Sequence, residues 1–195
     1  TAGWPGDPPL EVEWLTRTAN GDSSNLSRIS TGLHIGTHVD APFHVLEDGA
    51  GVGELSLDPF IGPALLVELP RGAPIDAAFA DEVLRRWPNP PRILLRTQAW
   101  SGDSFPDDFP AVEVDAVRIL ASAGVVLIGT DAPSVDPFDS TTLAAHHALI
   151  RSGIAILENL LLDDVPPGEY ELIALPLKLM ELDGSPVRAI LRALT

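Results

Sequence analysis

Three of the chain's five histidines fall within the eleven residues from His34 to His44, and the other two are adjacent at His146 and His147. The first cluster reads Leu33-His34-Ile35-Gly36-Thr37-His38-Val39-Asp40-Ala41-Pro42-Phe43-His44. Taken with a period of two, it sorts its own chemistry. Leu33, Ile35, Val39 and Phe43 occupy odd positions, while His34, His38, Asp40 and His44 occupy even ones. Successive side chains of an extended chain point to opposite faces, so one face is apolar and the other carries imidazoles and a carboxylate. Gly36 and Pro42 argue against a helix. A solvated strand would explain the apolar face but not the clustering on the polar one.

Distance adds a constraint. Positions four apart on a straight strand are separated by about 13 Å. Two ring nitrogens on one tetrahedral ion lie only about 3–3.5 Å apart, given metal–nitrogen bonds of about 2.0–2.1 Å. His34 and His38 can share an ion only if the chain bends between them, and Gly36 is the residue that permits it. His38 and Asp40 need less distortion. His44 lies further along and is free for a role other than ligation. Structural zinc sites are usually closed by four ligands, often cysteines, whereas this set leaves coordination positions open, which suits catalysis.

Asp131, Asp136, Asp139, His146, His147 and Glu158 lie downstream. Glu158 follows an apolar run that reads as a buried strand. His146 and His147 sit on a predicted helix about 100° apart, so only one can face a site, and spacing does not choose between them. The three aspartates read as turn formers around a rigid Asp-Ala-Pro-Ser-Val-Asp-Pro loop. Trp4 precedes a Pro5-Gly6-Asp7 turn, as a hydrophobic plug or as a platform for a flat substrate.

The 195 residues suit one domain, spanning 1–195, with no repeat or linker. An alternating segment at 11–17 and the runs at 64–69, 93–96, 125–128, 154–157 and 170–177 read as strands. Helices fit at 77–87, 114–122 and 141–151, the last capped by Ser140. A mixed α/β domain follows, without a fixed topology. The absence of cysteine excludes disulfides, thiolate metal sites and a cysteine nucleophile, and suits a cytoplasmic setting. A net charge of −16, from 28 acids against 12 bases, disfavours nucleic-acid binding. No apolar run approaches the roughly 20 residues that span a bilayer, and no signal-peptide pattern opens the chain.

The segment from His34 to His44 resembles the His-x-Gly-[Thr/Ala]-His-x-Asp-x-Pro-x-His signature of the cyclase family of metal hydrolases. Further blocks resemble the family's bacterial kynurenine formamidase branch. These are Trp4-Pro5-Gly6-Asp7, Gly129-Thr130-Asp131-Ala132-Pro133-Ser134-Val135-Asp136-Pro137, Ile156-Leu157-Glu158-Asn159-Leu160, and the tail through Tyr170 and Asp183. Thr130 departs from the hydrophobic residue expected there. The resemblance implies an α/β fold of one domain, a mixed barrel-like β-sheet with flanking helices of the swivelling β/β/α kind, assembled as a homodimer. It implies that His34, His38 and Asp40 hold one divalent ion. Asp40 would bridge to a second, completed by His146 in preference to His147 and by Glu158. His44 would transfer protons, and Trp4 would line the substrate pocket. Zinc is the first choice for such a donor set, with manganese the alternative. The implied reaction is hydrolysis of an aryl formamide, N-formyl-L-kynurenine, to L-kynurenine and formate in tryptophan degradation. An imidazole pKa near 6.5 would let His44 act as both base and acid. A related cyclic-amide hydrolase of the isatin hydrolase kind, or a metal-binding or small-molecule-binding protein without catalysis, are the alternatives.

Overall fold

The computed structural model describes residues 3–100 and 104–194. Its elements run in the order β1 (Glu11–Thr16), β2 (Leu26–Ser30), β3 (His38–Asp40), β4 (Ile61–Glu68), α1 (Ala77–Arg86), β5 (Arg92–Arg96), α2 (Val114–Ser122), β6 (Leu127–Thr130), α3 (Ala144–Arg151), β7 (Ala155–Glu158), β8 (Gly168–Ile173), β9 (Gly184–Pro186) and β10 (Ile190–Ala193), with short 3-10 turns between some of them.

β4, β5, β6 and β7 pair in parallel and are joined by the three helices. A parallel sheet covered on both faces needs strands that are apolar throughout, and β5 meets that demand. Ile93 and Leu95 face α1, α2 and α3 together with Val83, Val117, Leu120 and Leu149. Leu94 enters a second cluster on the other face with Val39, Phe60, Leu66, Leu157 and Leu172. Antiparallel strands extend the sheet on both sides, in the order β10-β8-β4-β5-β6-β7-β3-β9. The result is an open, mixed sheet of eight strands that curls into a half-barrel in a single domain.

The differences from the sequence expectation have local causes. β8 stops at Ile173, ahead of Pro176, where 170–177 reads as one apolar run. α3 starts at Ala144, three residues later than periodicity suggests. Ser140 binds the Leu143 amide at 3.1 Å without capping the helix, and Leu143 first turns through φ 46°. β2, β9 and β10 carry no strong apolar pattern, and pairing with a neighbour is what makes them strands. β1 and β2 form a separate antiparallel ribbon whose Val12, Trp14, Leu26 and Ile29 are exposed. Among the described residues, no helix is long and apolar enough to cross a membrane.

Candidate metal centre

The site is assembled around β3. Its His38 and Asp40 share one face, and Val39 points the other way into the core, as the period-two pattern requires. Antiparallel pairing with β7 sets His38 opposite Glu158, and pairing with β9 sets Asp40 opposite Gly184. The chain bends ahead of β3 at Gly36, whose φ of 61° is a left-handed conformation that suits glycine. That bend brings the His34 ring to 5.0 Å from the His38 ring, nearly perpendicular to it. Gly184 makes room for it, since a Cβ there would sit 3.0 Å from His34 Cε1.

The extended run expected as far as His44 ends at Asp40. A 3-10 turn at Pro42–His44 folds the chain back and leaves Phe43 exposed, not buried beside Val39. It also swings the His44 ring to 4.1 Å from the His34 ring and 5.6 Å from that of His146.

α3 carries His146 into the site on its buried face with Ala145 and Leu149. His147 is half buried and belongs to no ligand group below. The helix is locked by Asp136, whose carboxylate accepts from the amides of Ala145 and His146, each at 2.9 Å, and from His146 Nδ1 at 2.7 Å. Asp131 is pinned elsewhere, accepting from the Thr97 and Gln98 amides, and Asp139 is exposed.

Five side chains converge as two groups that share Asp40, namely His34, His38 and Asp40, then Asp40, His146 and Glu158, and a third, less buried group of His34, His44 and Asp183 adjoins them. Asp40 Oδ1 lies 2.8 Å from His34 Nδ1 and 3.3 Å from His38 Nε2. Asp40 Oδ2 lies 3.2 Å from His146 Nε2, which is 3.5 Å from Glu158 Oε1. His38 Nε2 and Asp40 Oδ2 are buried with no hydrogen-bond partner. Each such orphan costs about 1–3 kcal/mol in an apolar setting. Both point where a cation would satisfy them, so the donor set fits divalent metal.

The electrostatics agree with a cation site. Burial disfavours a charged His38 ring, but Asp40 and Glu158 outweigh it and raise its pKa to about 10. Burial opposes charge on His146 as well, and Asp136 and Asp40 raise it to about 10. Burial pushes the Asp40 carboxyl up, yet the close imidazoles of His146, His34 and His38 hold it well below its ordinary value. Without metal, protons occupy the places of cations. His44 behaves oppositely. Burial, aided by charge on His34 and His146, takes it down to about 4 and not near 6.5, despite the pull of Asp40.

A cleft of about 230 Å³ opens onto these groups, at the small end for a ligand site. Trp4, Phe105, His44, His146 and Asn159 are among its lining residues. Trp4 stacks on Phe138 at 5.2 Å and meets Phe105 edge-on at 5.2 Å, so it packs like a plug while walling the cleft. The sequence gives no role to Phe105, Phe138, Asp183 or Gly184, and it reads Asp136 only as a turn former. The aromatics lie in proline-rich loops without periodicity, and the other three sit in turn-like segments.

A family model described as "Putative cyclase" matches residues 2–137. A kynurenine formamidase from Salinibacter ruber is 46% identical over 204 residues, covering 98% of this chain and 92% of that protein. Among solved structures, a potential metal-dependent hydrolase with cyclase activity is 32% identical, with a TM-score of 0.77 over 93% of this chain and 86% of its own. Isatin hydrolase A from Labrenzia aggregata is 25% identical, with a TM-score of 0.80 over 92% and 81% of the two chains.

Proposed function

The chain belongs to the cyclase family, and from that premise we propose that it is a metal-dependent kynurenine formamidase, hydrolysing N-formyl-L-kynurenine to L-kynurenine and formate. The observation that carries this reading is the pair of ligand groups sharing Asp40, with His44 and an aromatic wall beside them. His34, His38 and Asp40 are proposed to hold one ion, and Asp40, His146 and Glu158 a second. Zinc is the first choice for imidazole and carboxylate donors, with manganese the alternative. Divalent ions bound there supply Lewis acidity that activates water and polarises an amide carbonyl.

The chain's own residues do the rest. Trp4 and Phe105 give the aryl ring a flat surface and keep bulk water from it. His44 Nδ1 faces Asp183 at 3.9 Å, and Nε2 is proposed as the reacting nitrogen. As water adds to the formyl carbon, Nε2 takes its proton. As the C–N bond breaks, Nε2 passes that proton to the departing amine nitrogen, and formate is released. A homodimer is also proposed, supported by the exposed apolar side chains of the β1–β2 ribbon.

Elemental analysis of purified protein alongside assays with N-formylkynurenine and isatin tests the reading. Two ions per chain and chelator-sensitive turnover of the formamide are expected. Turnover of isatin alone would move the assignment to cyclic amides, and no turnover at any metal content would make the protein a binder.

A further inference from the structure

Each histidine of the cage has one ring nitrogen turned inward and one tied outward. His38 Nδ1 is tied to the carbonyl of Gly36 at 2.9 Å, close by in its own backbone. The other two are tied to carboxylates outside the ligand set: His146 Nδ1 to Asp136 Oδ2 at 2.7 Å, and His34 Nε2 to Asp183 Oδ2 at 2.9 Å. A neutral imidazole has one N–H, and the nitrogen that donates it leaves the lone pair on the other. An ionised carboxylate only accepts, so it draws the N–H towards itself.

We propose that Asp136 and Asp183 are positioning residues, one for each ion, which fix opposite tautomers of two ligands: His146 with Nε2 free and His34 with Nδ1 free. This rests on the ligand assignment above. These are the tautomers of the loaded site, since without a cation Asp40 Oδ1, 2.8 Å from His34 Nδ1, competes for the same N–H. His146 Nε2 faces Asp40 Oδ2 and Glu158, and His34 Nδ1 faces Asp40 Oδ1. With His38, the cage uses one Nδ1 and two Nε2 ligands.

Burial makes the two carboxylates unequal. Asp136 is 2% exposed and also holds two first-turn amides of α3. No water can stand in for it. An asparagine there offers one acceptor and one donor to three N–H groups, so either the cap is spoiled or the ring turns its N–H inward and loses its ligand lone pair. The Asp183 side chain is 42% exposed, and water can take its place behind His34. Removing such an outer partner typically costs about 10–100-fold in metal affinity. Asp136→Asn should reach that range at the His146 ion, while Asp183→Asn should cost less than about tenfold at the His34 ion.

The test equilibrates the full chain against chelator-buffered free zinc and counts bound zinc per chain, with melting of the metal-free protein as the structural control. His146→Ala identifies which of the two affinities belongs to its site. The expected result is crossed: Asp136→Asn weakens the His146 ion alone and Asp183→Asn weakens the other alone. In a His146→Ala background Asp136→Asn should have no further effect on zinc, because it acts through that ring. Equal weakening of both ions, an additive effect in that background, or unchanged affinities in both variants would overturn the proposal. Complete loss of one ion in Asp183→Asn would make Asp183 a ligand and overturn its part too. If Asp136→Asn fails to fold, Asp183→Asn near the surface still decides. A wild type that takes up fewer than two ions refutes the ligand assignment itself, a failure visible before any variant is measured.

Discussion

Replacing His44 with alanine isolates proton transfer from metal binding. The ring is part of the cleft wall but lies outside both groups that share Asp40. In the metal-free chain burial, aided by charge on its histidine neighbours, lowers its pKa to about 4. The resting ring is therefore neutral, ready as a base and unable to begin as an acid. In the proposed mechanism the proton it delivers to the amine is the one it takes from water. His44→Ala should keep both ions and lose about 10²–10⁴-fold in turnover, the usual worth of general acid–base catalysis. The assay is metal content plus rates for N-formylanilines carrying varied ring substituents. The variant should be more sensitive to leaving-amine basicity than the wild type, because poor leaving groups need the donated proton most. Equal sensitivity in the two proteins would refute the acid role, and loss of metal would make His44 a ligand.

Asp40→Asn should weaken both ions by about 10²–10³-fold, taking structural zinc binding of about 10–16 kcal/mol as shared among four ligands, whereas His146→Ala should weaken one. Zinc counting decides this, and full retention in Asp40→Asn would end the bridging assignment. His146→Ala should abolish formamidase turnover while His147→Ala largely spares it, and the reverse result would mean that α3 presents its other face. Gly184→Ala would place a Cβ 3.0 Å from both His34 Cε1 and the Val39 carbonyl, so the His34 ion should be released first in a chelator titration while the His146 ion stays. Metal uptake near neutral pH should release at least two protons, from His38 and His146 at about 10, with a further share from His34, whose pKa is also raised. Calorimetry in buffers of different ionisation enthalpy counts them, and uptake without release would contradict the paired state. The same raised values stabilise the metal-free protein fully below pH 6.5, and that contribution fades as pH climbs through about 10.

The alternation of His38, Val39 and Asp40 was legible because a strand's period is a property of its own backbone. The bend at Gly36 was legible because a short distance between His34 and His38 demands it. The central strands and the three helices announced themselves by apolar runs and periodicity, so a mixed α/β domain could be read in outline, while the mixed sheet with flanking helices came from the family resemblance. Past Asp40 the local rule failed. The Pro42–His44 turn leaves Phe43 exposed, and folding back towards His34 and His146 is a tertiary event. Register was beyond local reading as well. Glu158 and Gly184 lie more than a hundred residues from β3, and only strand pairing places them beside His38 and Asp40. The roll of α3, which chooses His146 over His147, is set by burial of Ala145 and Leu149 and by the grip of Asp136. Asp136 read as a turn residue and Asp183 drew no role from the chain, because what a carboxylate does depends on which donors the fold brings to it.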